Sequence, residues 1–287
     1  MIEMAQSAFW RASLDPERVM SARVTHWQDA ASSQREEYLT VEEPLEIRLI
    51  GRSLAMIMRT PGHDAELALG FLLSEGLIQS AEDAIDVHPA CDAEGLPLVN
   101  VVDVVLREPL TQAIDAGASQ RRFTVSASCG LCGKESIADL LCSAAPVSED
   151  DFHIPAAHLY NLPERLRQAQ AVFTHTGGLH AAGLFDARGE LRLLREDVGR
   201  HNAVDKLIGH GIREQILPYS HLLLLVSGRT SFEIIQKALR ARIPCIAAIS
   251  APSSLAVELA EQSGITLIGF LRERTMNVYT HPERILS

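Results

Sequence analysis

The chain is expected to fold as an α/β protein, a three-layer core of largely parallel sheet wrapped by helices, with a smaller α+β part ahead of it. Two observations predict this. Beyond residue 221, apolar runs of strand length alternate with segments of helical length, and strand–helix alternation favours parallel sheets covered by helices. Nearer the start, Leu45, Ile47 and Leu49, then Gly51, then Leu54, Met56 and Met58 alternate with period two around a glycine, the pattern of a hairpin. With 287 residues, 47% of them apolar, the chain is long enough for a large core.

Taken in order, residues 1–38 are polar without a sustained apolar period and are expected to form an irregular arm. Residues 39–145 form the smaller part. After the hairpin, Pro61-Gly62 precedes a helix capped by Asp64 and closed near Gly76. Strands are expected over residues 98–106 and 123–125, and a short helix from Ile137 to Cys142. The Pro- and acid-rich stretch 145–151 marks a boundary, and residues 152–287 form the main part. There, a helix starts near Pro163, because the fixed φ of proline suits a first helical turn. The T174-H-T-G-G178 stretch interrupts it, two strands flank residues 187–190, and 201–209 reads as helix. Strands at 221–226, 245–249 and 265–270 then alternate with helices at 231–241 and 253–262.

Composition excludes several classes. A net charge of −11 opposes general binding to nucleic acid phosphates. The apolar run Leu222–Val226 falls far short of the roughly 20 residues of a membrane helix, and the N-terminus lacks the basic start and apolar stretch of a secretory signal. A cytoplasmic address is the expectation. Five cysteines, Cys91, Cys129, Cys132, Cys142 and Cys245, are an odd count for a disulfide framework in that compartment.

Three segments could carry chemistry. Cys129 and Cys132 stand two residues apart amid Ser and Gly, with Lys134 following. One Cys-x-x-Cys supplies half a zinc site, and the deaminase form of that site needs an H-x-E upstream of the cysteine pair, where this chain has none. A dithiol redox pair is a second reading, although the usual strand-to-helix setting is missing. A third is nucleophilic sulfur: Lys134 and helix amides would lower a thiol pKa, while Gly130 and Gly133 give the backbone freedom a swinging carrier needs. His175, Gly177 and Gly178, followed by Asp197, Arg200, His201 and Asn202, gather donors and acceptors at a helix start, although glycine pairs commonly mark plain turns. Arg229, in S227-G-R-T-S231, and Arg272 and Arg274, after the last strand, stand where ligands bind open α/β sheets. No P-loop or G-x-G-x-x-G is present.

Together these segments resemble the formate dehydrogenase accessory sulfur-carrier family, FdhD. The resemblance runs through M58-R-T-P-G-H-D, E66-L-A-L-G-F-L-L-S-E-G, C129-G-L-C-G, F173-T-H-T-G-G-L-H, E196-D-V-G-R-H-N-A-V-D-K, S227-G-R-T-S-F-E and A248-I-S-A-P-S-S, over about residues 40 to 284. It implies a cytidine-deaminase-like core and a homodimer. It further implies a sulfur carrier that accepts persulfide sulfur from a cysteine desulfurase and passes it to the molybdenum bis(molybdopterin guanine dinucleotide) cofactor destined for formate dehydrogenase, with no metal of its own. The persulfide position falls on Cys129, with Cys132 assisting. The cofactor-binding stretch falls on Phe270, Leu271, Arg272, Glu273, Arg274 and Thr275; Arg229, His175, Gly177 and Gly178 are added as further walls from the reading of the residues themselves. A non-catalytic chaperone of the cofactor or apo-enzyme, and a zinc-dependent deaminase-like hydrolase, are the alternatives.

Overall fold

The computed structural model describes residues 15–108, 141, 144–147 and 152–287. The strand expected at 123–125, the Cys129/Cys132 pair, Cys142 and all but Leu141 of the helix expected before it lie outside the described residues.

The chain enters as a hairpin. Strands β1 (Val19–Gln28) and β2 (Ala31–Thr40) pair antiparallel along their whole length, which corrects the expectation of an irregular arm to residue 38. The reason for the difference is compositional. The strand ASSQREEYLT offers no apolar face, so backbone pairing and the left-handed turn residue Asp29 (φ 53°) shape it instead. Only its base is anchored, where Val19 and Tyr38 pack with Val172, Phe173 and Leu179.

Strands β3 (Glu43–Leu49) and β4 (Arg52–Arg59) form the expected hairpin at Gly51. With β5 (Ala84–Cys91) and β6 (Pro97–Leu106) they make a sheet of order β4-β3-β6-β5. Leu45, Ile47, Val102 and Val104 point to its buried face. Helix α1 (Asp64–Ser74) covers that face, but its cap is His63 in the left-handed conformation (φ 61°) rather than Asp64. The Asp64 carboxylate is already engaged by the buried Arg59, through bonds of 2.9 and 2.8 Å.

The second sheet begins after β7 (Ile154–Pro155), α2 (Ala156–Leu159), α3 (Leu162–Ala169) and α4 (Ala171–Thr176). It contains β8 (His180–Phe185), β9 (Leu191–Asp197), β10 (Leu223–Val226), β11 (Cys245–Ala248), β12 (Thr266–Arg272) and β13 (Thr275–Thr280) in the order β13-β12-β11-β10-β8-β9. The expected parallel trio β10, β11 and β12 is present, but β8 and β13 run against it, and β9, paired antiparallel to β8, completes a mixed sheet. Helices α5 (Arg200–Arg213), α6 (Phe232–Arg240) and α7 (Ser254–Gln262) connect its strands, and β14 (Ile285–Leu286) closes on β7.

Both faces of this sheet are covered, which is why its strands read as continuous apolar runs. Leu224, Val226, Ile246 and Ala248 join a core with Leu207, Ile234, Leu239 and Leu259. Leu223, Leu225, Cys245 and Ala247 pack instead with Leu159, Leu162 and Leu166. Cys245 is thus a core residue, its thiol pushed up by burial to about 12, whereas Cys91 is exposed at the end of β5.

The first core continues into the four-stranded sheet through the crossing of α1 and α5. A side-chain carbon on Gly70 would lie 1.9 Å from the Asp205 carbonyl oxygen, and one on Gly209 would lie 1.7 Å from that of Glu66. The two helices therefore touch backbone to backbone, which only paired glycines permit. Glu66 ties the same crossing electrostatically. Its buried carboxylate takes bonds of 2.6 and 2.8 Å from Arg195 and sits 3.0 Å from His210 Nδ1. Although burial alone would raise it, Arg195, His63 and His210 hold this carboxyl far below the usual range.

Candidate functional site at the carboxyl edge of the parallel strands

The topology gathers several loops at one edge. Strands β10, β11 and β12 end there, and because β8 runs antiparallel to β10, His180 at the start of β8 reaches the same edge. Backbone bonds tie the loops together. Thr230 N donates to Ala251 O (3.3 Å), Ser253 N to Thr230 O (2.9 Å) and Phe270 N to Ser250 O (3.2 Å). The loop carrying exposed Arg229 and the segment from Phe270 are thereby joined through consecutive residues of the β11–α7 loop, as the parallel-strand reading expects.

The segment 270–275 is a hairpin rather than a loop beyond the strand. Phe270, Leu271 and Arg272 complete β12, and Thr275 opens β13. Glu273 and Arg274 form the two-residue turn between them with φ of 50° and 61°, positive at both central positions, as a right-twisted hairpin demands. Phe270 also has positive φ (52°), inside the irregular register between Gly269 and Arg272. Three non-glycine residues in the left-handed region within five positions cost on the order of 1 kcal/mol or more each. Leu271 is fully buried and anchors the strand, while Arg272, Glu273, Arg274 and Thr275 are exposed. The Arg272 guanidinium lies 5.8 Å from the centre of the Phe270 ring, and that of Arg274 lies 5.6 Å from Tyr160. Aromatic rings thus orient both cations.

His175, Gly177 and Gly178 end α4. Gly177 caps the helix with φ 66°, its amide donating to Phe173 O at 2.7 Å. A side-chain carbon on Gly178 would meet Thr40 Oγ1 at 2.8 Å, so this glycine admits strand β2, and His175 Nδ1 lies 2.8 Å from Ala171 O. The structure gives the glycine pair the role of a tight turn against the N-terminal hairpin.

The helix start after β9 divides into inward and edge residues. The buried Asp197 carboxylate accepts from Gly199 N (2.8 Å), Asn202 Nδ2 (2.9 Å) and Thr60 N (3.2 Å), with Lys206 Nζ at 2.7 Å. Asp197 and Asn202, grouped by sequence with the ligand-facing residues, are therefore structural ties from α5 to β4. Lys206 itself is pushed below the ordinary lysine range by burial, against the pull of Asp197. Asp205, one turn along, is likewise buried and bonded by Lys237 Nζ at 2.8 Å and Ser74 Oγ at 2.7 Å.

Arg200 and His201 remain at the edge with His180. His201 Nε2 lies 3.2 Å from Ser231 Oγ and 3.9 Å from Glu233 Oε2. Burial first, then Lys237, Arg200 and His180, hold His201 down to about 4, with Glu233 opposing. His180 is lowered too, by burial and then Arg200, with Asp197 opposing. Stability should follow. An unfolded chain binds a proton at His201 near 6.5 while the folded chain resists until about 4, so the unfolded state holds more protons between these values. Stability is complete above pH 6.5 and is lost as pH falls toward 4, by roughly 3 kcal/mol at most. Urea unfolding from pH 7 to 4 should show that slope in the wild type and a shallower one in His201→Gln; parallel profiles would contradict it.

Comparisons with known proteins converge on one family. The FdhD/NarQ family model matches residues 40–286. A sulfur carrier protein FdhD from Mycolicibacterium paratuberculosis is 50% identical over 267 residues, covering 92% of this chain and 97% of the relative. The sulfur carrier protein FdhD of Saccharolobus solfataricus is 42% identical over 271 residues, 93% of this chain and 98% of that one. Among solved structures, a protein from Desulfotalea psychrophila assigned as a formate dehydrogenase accessory protein aligns with TM-score 0.73 at 25% identity, covering 94% of this chain and all of the other. A match of this length, passing through the cysteine pair, the helix crossing and the strand-edge loops alike, means that the chain belongs to the FdhD/NarQ family.

Proposed function

We propose that the chain carries sulfur as a persulfide on Cys129, taken from a cysteine desulfurase, and passes it to the molybdenum bis(molybdopterin guanine dinucleotide) cofactor before that cofactor enters formate dehydrogenase. It does so as a cytoplasmic homodimer on a cytidine-deaminase-like scaffold. The supporting observation is the unbroken family match across residues 40–286, which contains C129-G-L-C132. The exposed Arg229, Arg272 and Arg274 at one strand edge suit a phosphate-rich cargo.

The Cys129 thiolate attacks the terminal sulfur of the donor persulfide, forming Cys129–S–SH and releasing the donor thiolate. Delivery as sulfide needs two electrons, and the Cys132 thiolate supplies them by attacking Cys129 Sγ. This expels hydrosulfide toward the cargo and leaves a Cys129–Cys132 disulfide, which a cellular dithiol reductant reopens. The strained β12–β13 turn holds Arg272 and Arg274 on aromatic rings, so little freedom is lost when they meet phosphate.

Guanosine diphosphate can stand for one arm of the cofactor in a calorimetric titration. Arg272→Ala and Arg274→Ala should each weaken it roughly tenfold, since a charge-assisted bond contributes about 1.5–3 kcal/mol. Cys129→Ala should bind as wild type. Unchanged affinity in both arginine variants would place the cargo elsewhere.

A further inference from the structure

Two helix starts at the strand edge lack a side-chain cap. Helix α5 begins from Gly199, which has no side chain to offer. Helix α6 begins from Ser231, whose hydroxyl makes no cap bond and instead faces His201 Nε2 at 3.2 Å. The neighbouring α7 is capped in the ordinary way, Ser253 Oγ accepting from Ala256 N at 3.2 Å. The first amides of α5 and α6 thus present partial positive charge at one edge.

Two further observations point to a ligand. Arg200 is the first residue of α5, and its side chain crosses to the β10–α6 turn, where Cδ lies 3.6 Å from the point a side-chain carbon on Gly228 would occupy. His180 Nδ1 lies 3.3 Å from the same point. Among the described residues Arg200 has no acceptor, and its Nε is buried. In the same turn, Thr230 is 1% exposed, and its Oγ1 has no partner among the described residues. A buried donor left unmet is costly, so Arg200 Nε and the Thr230 hydroxyl, left so together beside two uncapped helices, suit an anionic ligand.

We propose that Arg200, Thr230 and the first amides of α5 and α6 form a phosphate-binding site, separate from the 270–275 hairpin, that takes the pyrophosphate of a nucleotide-bearing ligand. Gly228 keeps this turn close to His180, whose Nδ1 would have to give by a few tenths of an ångström to admit a side-chain carbon at 3.3 Å, while Arg200 Cδ at 3.6 Å would be in ordinary contact. His180 and His201, uncharged at neutral pH, serve as hydrogen-bonding walls and leave Arg200 as the cation. The assignment of a nucleotide-bearing ligand rests on the cofactor reading above; the phosphate chemistry rests on the geometry alone.

Inorganic pyrophosphate, titrated calorimetrically into the full chain at constant ionic strength, is the probe. The wild type should bind despite its net negative charge, Arg200→Gln roughly tenfold or more weakly, and Thr230→Val a few-fold more weakly. Thr230→Val also separates binding from structure. Removing a hydroxyl that has no partner should leave the unfolding midpoint unchanged or raised, whereas a structural hydroxyl would lower it. Absence of wild-type binding, or wild-type affinity in Thr230→Val together with a folded Arg200→Gln, overturns the site. Should Arg200→Gln fail to fold, the Thr230→Val affinity decides. Sulfur loading on Cys129 is read independently: protein that loads sulfur yet binds no pyrophosphate loses this site and keeps the carrier reading. Protein that binds pyrophosphate through Thr230 and Arg200 but takes up no sulfur keeps the site and loses the carrier.

Discussion

Cells whose only copy carries Cys129→Ala are expected to accumulate formate dehydrogenase protein with no activity, while the variant chain itself stays folded and abundant. The reason is chemical. A persulfide needs a thiolate, and no neighbouring group except Cys132 can replace it in that segment. Alanine is close to cysteine in size, so the substitution is expected to leave the fold intact. Cys132→Ala should still accept sulfur but release it slowly, since an external thiol must then supply the electrons. Formate oxidation in extracts, with immunoblots of both proteins, reads the difference. Normal activity with Cys129→Ala would end the carrier reading, and identical behaviour of the two variants would remove the order assigned to the cysteines.

The largest structural effect should come from Gly209→Ala. Its new carbon would lie 1.7 Å from the Glu66 carbonyl oxygen, so α1 and α5 would have to separate. Separation would open the core shared by Leu67, Phe71, Val204 and Ile208 and strain the Glu66–Arg195 tie. A loss of about 4 kcal/mol or more is expected, a large fraction of the roughly 5–15 kcal/mol that holds a domain together. Gly70→Ala should behave alike, with its 1.9 Å approach to Asp205. Gly51, with φ 74° and open space around it, supplies the control, and Gly51→Asn should cost far less. Denaturant midpoints within experimental error of wild type for Gly209→Ala would contradict the described crossing.

What the sequence made legible is what apolar periodicity encodes. The alternation from β10 to β12 and strand β3 were readable because their apolar residues become buried, whereas in β4 Ala55 and Ile57 are buried and Met56, one of the alternating residues read as apolar, is exposed. Strands β1, β2 and β13 were not, because they present polar residues on exposed faces and are held by backbone pairing. The site was half legible. Position after parallel strands correctly joined Arg229 to the 270–275 segment, since topology alone brings those loops together. Within the helix start at 197–202, Asp197 and Asn202 misled, because a carboxylate and an amide beside an arginine and a histidine look like ligand chemistry. Its partners Thr60 and Lys206 turn Asp197 into a buried tie, and contacts across 137 residues leave no local trace. Thr230 gave no signal at all, since a lone threonine in a turn is ordinary until its hydroxyl is found buried without a partner.

Intact-mass measurement of the purified chain, after incubation with a cysteine desulfurase and cysteine, reads the sulfur on the protein itself. Persulfide carriage predicts addition of one sulfur atom to the wild type, removed by a thiol reductant, retained in Cys132→Ala and absent in Cys129→Ala. Sulfur addition that persists unchanged in Cys129→Ala, or none in the wild type, would contradict it.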